Sequence, residues 1–307
     1  MQHSADAVAL EGIAKSFGTH RAVDDLFLSV PCGSVYGFIG PNGSGKTTTL
    51  RMVMNILIPD RGQIRIFGDV PHGSRTERVG YMPEERGLYR RMKVRDLLRF
   101  LADLKGMKDS RSEVARWLAR LDLTAWADRK VEVLSKGMSQ KVQFIATVIS
   151  RPDLVILDEP FTGLDPVNTE VLKDAILDLQ KEGRTVIFST HDMGMAERMC
   201  DFIFMIFNGK KVLDGTLADI QSRYGEDTIR LRAENGTVAL AGIPGIGRVN
   251  DFGQMQEVRL LPGADAQEIL ARVIGRTRVR SFEIVRPSLH DIFVRIAGAG
   301  KEAVPDA

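Results

Sequence analysis

Gly40-Pro41-Asn42-Gly43-Ser44-Gly45-Lys46-Thr47 is the stretch that decides how this chain folds. It fits the pattern G-x-x-x-x-G-K-S/T, whose glycines let successive backbone N–H groups turn toward phosphate oxygens without a Cβ in the way. In such a loop Lys46 reaches the β- and γ-phosphates, and the Thr47 hydroxyl is placed for Mg2+. The apolar, β-prone run Val35-Tyr36-Gly37-Phe38-Ile39 precedes the loop, and Thr47 to Met54 follows with a helical texture. Strand, loop and helix in that order add the positive end of a helix dipole to an anion site. The candidate nucleotide-binding residues are therefore Gly40, Pro41, Asn42, Gly43, Ser44, Gly45, Lys46, Thr47 and Thr48.

Outward from the loop, Val8 to Ile13 and Leu26 to Val30 read as short strands, with Phe17 in the turn between them. Gly62 to Gly68 and Arg78 to Met82 are two more strand-like runs. The period then changes: Val94, Leu97, Leu98, Leu101 and Leu104 share one helical face, as do Val114, Trp117, Leu118 and Leu121. Ser110-x-x-Glu113 reads as a capping box for the second of these helices. Leu154 to Leu157 and Thr185 to Phe188 are continuous apolar runs separated by a helix from about Val167 to Lys181. Runs buried on both faces and joined by helical crossovers predict a parallel sheet. Beyond about residue 222 short alternating runs (Thr228 to Arg232, Gln256 to Leu261, Arg278 to Val285) surround one helix, Ala266 to Ile274. Pro287-Ser288-x-x-Asp291 reads as a further helix start.

The expected fold is thus α/β: a phosphate-loop core with a mainly parallel sheet, an N-terminal antiparallel β part, a helical insert over about 86–150, and a small C-terminal α+β domain. The expected boundaries are 1–222 for the core, 223–297 for the appendage and 298–307 for a disordered tail.

The 307 residues, 44% hydrophobic with a formal net charge of +2, describe an ordinary globular chain with no strong field to demand nucleic acid. The longest apolar stretches, such as Phe202 to Phe207, fall far short of the ~20 residues of a spanning helix. Met1 to Ala9 has neither a charged start nor an apolar centre, so no secretory signal is expected. The two cysteines, Cys32 and Cys200, offer no disulfide framework or metal-ligand spacing, and both are expected to be reduced and packed.

Asp158 and Glu159 follow the buried run Leu154 to Leu157, which puts two carboxylates at the C-terminal end of a strand, where open α/β sheets hold ligands. One suits the metal and the other the water: Asp158 holding Mg2+ through its outer shell, Glu159 polarising the water that attacks the γ-phosphate.

With Leu134-Ser135-Lys136-Gly137-Met138-Ser139-Gln140 and Ser189-Thr190-His191 added, the chain resembles the nucleotide-binding subunit of an ABC transporter over roughly Leu10 to Ile220. The resemblance implies that Ser135 and the Gly137 backbone meet the ATP bound by a second subunit, so that two chains complete two sites. It implies that Phe17 stacks on adenine, that Gly163-Leu164-Asp165 communicates across the dimer, and that His191 is the switch histidine near the γ-phosphate. Three positions depart from the family's commonest form: Lys136 stands where a second glycine is usual, Met138 where glutamine is, and Glu84, after Tyr81-Met82-Pro83, where a glutamine contacts Mg2+ and water. The signature variant resembles that of bacterial export ATPases, including the sodium-efflux type, and the segment around Pro287-Ser288-Leu289 and Asp291-Ile292-Phe293 resembles the C-terminal domain of export-type subunits.

The stretch Arg86 to Arg95 is basic and carries Tyr89. It suits a solvated helix start, nucleic acid or anionic headgroups, and the resemblance puts the docking of a membrane partner's coupling helix there. What the resemblance implies is an ATP- and Mg2+-dependent ATPase, peripheral on the cytoplasmic membrane face, paired with itself or a paralogue and bound to membrane-spanning permease subunits, with no nucleic acid. The alternative is a soluble ABC ATPase serving translation or chromosome maintenance. Against it, each motif occurs once and no heptad run separates them.

Overall fold

A computed structural model describes residues 6–70, 78–85, 87–224 and 228–299. The chain divides into two compact units, Met1–Thr216 and Leu217–Ala307.

The first unit is built on a six-stranded sheet. Its strands are β3 (Val35–Ile39), β5 (Val79–Met82), β6 (Leu154–Asp158), β7 (Thr185–Thr190), β8 (Phe202–Phe207) and β9 (Lys210–Gly215), in the order β5-β6-β7-β3-β8-β9. All neighbours are parallel except β8 and β9. The continuous apolar runs of the sequence divide by the two-residue period of a strand between two cores. Val155, Leu157, Val186 and Phe188 face one core, shared with helices α2 (Val94–Leu104), α3 (Ser110–Arg120), α4 (Lys136–Val148) and α5 (Pro166–Lys181). Leu154, Ile156, Ile187, Phe38 and Phe204 face the other. There they meet α1 (Lys46–Val53) and a three-stranded antiparallel sheet in the order β2-β1-β4, formed by β1 (Asp6–Phe17), β2 (His20–Pro31) and β4 (Arg61–Ile66). A short helix, α6 (Met193–Met199), follows β7.

The second unit begins with α7 (Leu217–Tyr224) and holds a four-stranded antiparallel sheet ordered β11-β12-β10-β13. These are β10 (Thr228–Ala233), β11 (Ile246–Asp251), β12 (Gln256–Leu260) and β13 (Val279–Val285), with α8 (Gly236–Leu240), α9 (Ala266–Ile274) and α10 (Leu289–Ala299). Ile229, Leu231, Val258 and Leu260 pack on Leu240, Ile269 and Val273 as a core of its own.

Several local expectations need correcting. Ser110 does not cap α3: Asp109 does, accepting from the Ser112 N–H at 3.2 Å. Glu113 is drawn instead to Arg116, Trp117 and Arg151, because a buried carboxylate gains more from two guanidinium groups than from a helix end. Leu104, assigned to the apolar face of α2, is 70% exposed. Phe17 closes β1 rather than lying in the turn, which consists of Gly18 and Thr19. Cys32, just past the end of β2, is exposed, whereas the Cys200 sulfur lies against Gly37. The Ser288 and Asp291 pair does form a reciprocal cap: each backbone N–H donates to the other's side-chain oxygen, at 3.0 and 3.2 Å. Helix α10 runs on to Ala299, and residues 300–307 of the expected tail lie outside the described residues, as does Arg86 of the basic stretch.

Candidate active site

Register in the central sheet brings three chain segments together. Ile39 of β3 lies beside Thr190 of β7, and Asp158 of β6 lies beside Ser189. The phosphate loop, Glu159 and His191 therefore leave adjacent strands at one edge, the carboxyl edge where open α/β sheets bind ligands. A cleft of about 440 Å³ opens there. Phe17, His20 and Ala22 of the antiparallel sheet form one wall; Asn42, Gly43, Gly45, Lys46, Thr47 and Thr48 form the floor; Glu84 and Glu159 close the far side.

The loop's glycines are sterically required at two places. A Cβ on Gly40 would sit 2.3 Å from the Ile206 carbonyl oxygen. One on Gly45, whose φ is +107°, would sit 2.4 Å from that of Ala22. Only the missing side chains let the loop pass so close to its neighbours at these two positions. Lys46, 6% exposed, donates from Nζ to the carbonyls of Gly40 at 2.7 Å and Pro41 at 3.2 Å. Its ammonium lies 3.8 Å from Glu159 Oε1. Burial lowers its pKa, and the carboxylates of Glu159, Asp158 and Glu84 work against that fall.

Glu159 is a non-glycine residue at φ +51°, a strained left-handed conformation that redirects the chain at the end of β6. Ser189 holds it: the Glu159 N–H donates to Ser189 Oγ at 2.9 Å, and that hydroxyl donates to Asp158 Oδ1. The Glu159 carboxylate has His191 Nδ1 3.1 Å from both oxygens and accepts from the Thr162 hydroxyl at 3.3 Å. Contacts from Lys46, His191 and Thr162 orient this carboxylate, as activation of water requires. Asp158 is fully buried, and among the described residues its Oδ2 has no hydrogen-bond partner; Ser44 Oγ in the phosphate loop has none there either. Orphaned buried oxygens beside a phosphate loop suit a hydrated hard cation and the phosphates it would accompany.

The remaining sequence candidates occupy helix starts outside the cleft. Ser135 caps α4, its Oγ accepting from the Met138 N–H at 3.2 Å. A Cβ on Gly137 would come 3.3 Å from Leu164 Cδ2. Asp165 caps α5 and accepts from the Asn168 N–H at 2.9 Å, bonds that hold its carboxyl below its ordinary pKa. Within one chain none of Ser135, Gly137 or Asp165 lines the cleft.

Sequence reasoning missed His20, Ala22, Thr162 and Gln143, and it named Ser189 and Gln140 within their motifs without assigning them a contact. Gln140 donates to the Pro160 carbonyl at 3.1 Å, and Gln143 donates to those of Pro83 at 2.8 Å and Glu85 at 3.2 Å. One helix thus grips both segments that carry acidic groups to the cleft. Gln140 closes the motif that begins at Leu134, whereas nothing in the sequence singles out Gln143.

A mainly parallel sheet, a phosphate loop at the head of α1 and two carboxylates at the neighbouring strand end define a phosphate-loop nucleoside triphosphate hydrolase. A family model described as ABC transporter matches residues 23–162, and one described as ATP-binding protein DrrA1-3-like, C-terminal domain, matches 215–297. The chain is 40% identical to the uncharacterized ABC transporter ATP-binding protein YhaQ of Bacillus subtilis, over 95% of this chain and 99% of that one. It is 32% identical to the Nod factor export ATP-binding protein I of Rhizobium sp. strain N33, over 96% of this chain and 98% of that one. Among solved structures, an ATP binding subunit of an ABC transporter superposes with a TM-score of 0.66 at 25% identity, covering 87% of this chain and 99% of its own. The cbiO1 protein of Clostridium perfringens, described as part of the ABC transporter complex cbiONQ, does so with a TM-score of 0.63 at 25% identity, covering 72% and 92%. The chain belongs to the ATP-binding subunits of ABC transporters and is an ATPase of that family.

Proposed function

We propose that this chain powers an exporter: two ATP-binding subunits, identical or paralogous, close on two ATP molecules and drive membrane-spanning permease subunits from the cytoplasmic membrane face. The observation that carries the reading is the convergence of Lys46 and Glu159 on one cleft, with Ser135 and Gly137 presented elsewhere on the same chain. Groups divided in this way between a cleft and a separate part of the same chain are what a site shared between two subunits requires, and a two-fold pair completes both sites at once. Export is supported by the Nod factor relative's name. No helix among the described residues is long and apolar enough to cross a membrane, which is compatible with a peripheral subunit. The domain division proposed is an ATPase domain over 1–222 and an accessory domain over 223–297.

In this reading Phe17 stacks on the adenine, the loop from Gly40 to Thr48 holds the phosphates, and Lys46 leaves its own loop carbonyls for the β- and γ-phosphates. Thr47, Asp158 and Glu84 hold Mg2+, whose part is to neutralise charge on the phosphates. Glu159 takes the proton of the attacking water while His191 steadies its carboxylate and senses the γ-phosphate. Ser135, the Gly137 N–H and Asp165 meet the nucleotide of the opposite subunit. Closure follows ATP binding and release follows hydrolysis, a switch biased by γ-phosphate contacts. Arg86 to Arg95 forms the docking segment for the permease.

The test is mass spectrometry of what co-purifies with tagged Glu159→Gln protein from detergent-solubilised membranes of its own organism, with ATP present. This variant should bind ATP, fail to hydrolyse it and accumulate as a dimer. Recovery of a polytopic membrane protein supports the proposal. Recovery of ribosomes or chromosome-maintenance proteins alone would move the ATPase to the soluble branch of its superfamily.

A further inference from the structure

The charges around the cleft do not balance for a bare triphosphate. Glu84 and Glu159 line it, Asp158 lies buried at the strand end behind Glu159, and Lys46 is the ammonium held among them. All three carboxylates act electrostatically on that ammonium, Glu84 included. Asp158 Oδ2 is moreover a buried carboxylate oxygen with no hydrogen-bond partner among the described residues. A metal-free ATP would bring about four more negative charges against this set, whereas a divalent cation reverses the sign of its interaction with each carboxylate.

We infer that Glu84 makes nucleotide binding conditional on a divalent cation, so that the cleft accepts ATP as its metal complex and rejects the free nucleotide. The inference rests on the assignment of this cleft to ATP and Mg2+ made above. A glutamine at residue 84 could still offer a carbonyl oxygen to a cation, but it would not repel an unaccompanied phosphate. The carboxylate therefore acts mainly by excluding the wrong form of the ligand.

The experiment is calorimetric titration of the full chain with a non-hydrolysable ATP analogue, in excess EDTA and in excess MgCl2, at fixed ionic strength. Wild type, Glu84→Gln, Glu85→Gln and Lys46→Ala are compared. Glu85 is the control because its side chain does not line the cleft. The expected result is that Glu84→Gln binds metal-free nucleotide about tenfold more tightly, with the magnesium complex changed less than about threefold, and that Glu85→Gln leaves the ratio of the two affinities as in wild type. An unchanged ratio in Glu84→Gln, with binding lost in Lys46→Ala, overturns the inference and leaves the phosphate site standing. Wild-type binding in Lys46→Ala overturns the site assignment itself and the inference with it.

Discussion

Replacing Ser189 with alanine removes one oxygen from a fully buried position and breaks two bonds at once. The hydroxyl accepts from the Glu159 N–H and donates to Asp158, so Ser189→Ala strands a buried amide and takes the hydrogen bond from a buried carboxylate. A hydrogen bond to a carboxylate is worth about 1.5–3 kcal/mol and one between neutral groups about 0.5–1.5, giving an expected loss of about 2–4.5 kcal/mol. Both tryptophans, Trp117 and Trp126, lie in the first compact unit, so fluorescence during urea unfolding reports on that unit. The same bond holds the strained peptide at φ +51° that aims the Glu159 carboxylate. We therefore expect kcat for ATP hydrolysis to fall about tenfold or more, with KM changed less than about threefold, since the phosphate loop is untouched. A variant within about 0.5 kcal/mol of wild type and with unchanged kcat would refute the reasoning.

Phe144→Ala removes a fully buried ring that meets Trp117 edge-to-face at 5.7 Å and should cost about 3–5 kcal/mol, read by the same urea transition. Burial pushes the Glu113 carboxyl up, but its bonds to Arg116 and Arg151 outweigh this and hold it below its ordinary value of 4.5. A depressed acid adds stability above its unfolded pKa and loses it as pH falls through the folded one, so the advantage of wild type over Glu113→Gln should be full at pH 7 and shrink below about pH 4.5. Gly45→Ala would force a Cβ to 2.4 Å from the Ala22 carbonyl oxygen at φ +107°, and equilibrium dialysis should find ATP binding abolished. Under native conditions a thiol reagent should modify Cys32 first. Cys200, whose thiol is pushed far up by burial, should react at a comparable rate only in denaturant, as peptide mapping can tell.

Elements whose identity depends on local pattern were legible in the sequence. The phosphate loop was, because glycine spacing and a following lysine are a one-dimensional statement of a backbone shape. So were β6 and β7, whose continuous apolar runs, Leu154 to Leu157 and Val186 to Phe188, can be buried only on both faces. The cap at Ser288 and Asp291 formed as read, while the similar pattern at Ser110 and Glu113 did not. The difference is tertiary: Arg151, 38 residues away in sequence, competes for the Glu113 carboxylate, and no local rule contains it. Leu104 was misplaced for a related reason, since helical periodicity gives the direction of a face but not how far the covering layer extends.

The active site divides along the same line. Residue type and spacing alone nominated Lys46, Thr47, Asp158 and Glu159, because phosphate and metal chemistry restrict which groups can serve. Which of them share a space was decided by the strand order β6-β7-β3, a long-range arrangement that places Thr190 beside Ile39 and Ser189 beside Asp158. The fold also supplied contacts that no motif contains: the Ser189 hydroxyl bonded to the strained Glu159 peptide, His20 across the hairpin from Phe17, and the two α4 amides that tie Glu84's segment to Glu159's. The sequence by itself determined the chemistry available to this protein, since that is a property of residue types and local backbone. The tertiary structure decided which groups act together, because hydrogen bonds and Coulomb forces depend on distances that only strand register and packing set.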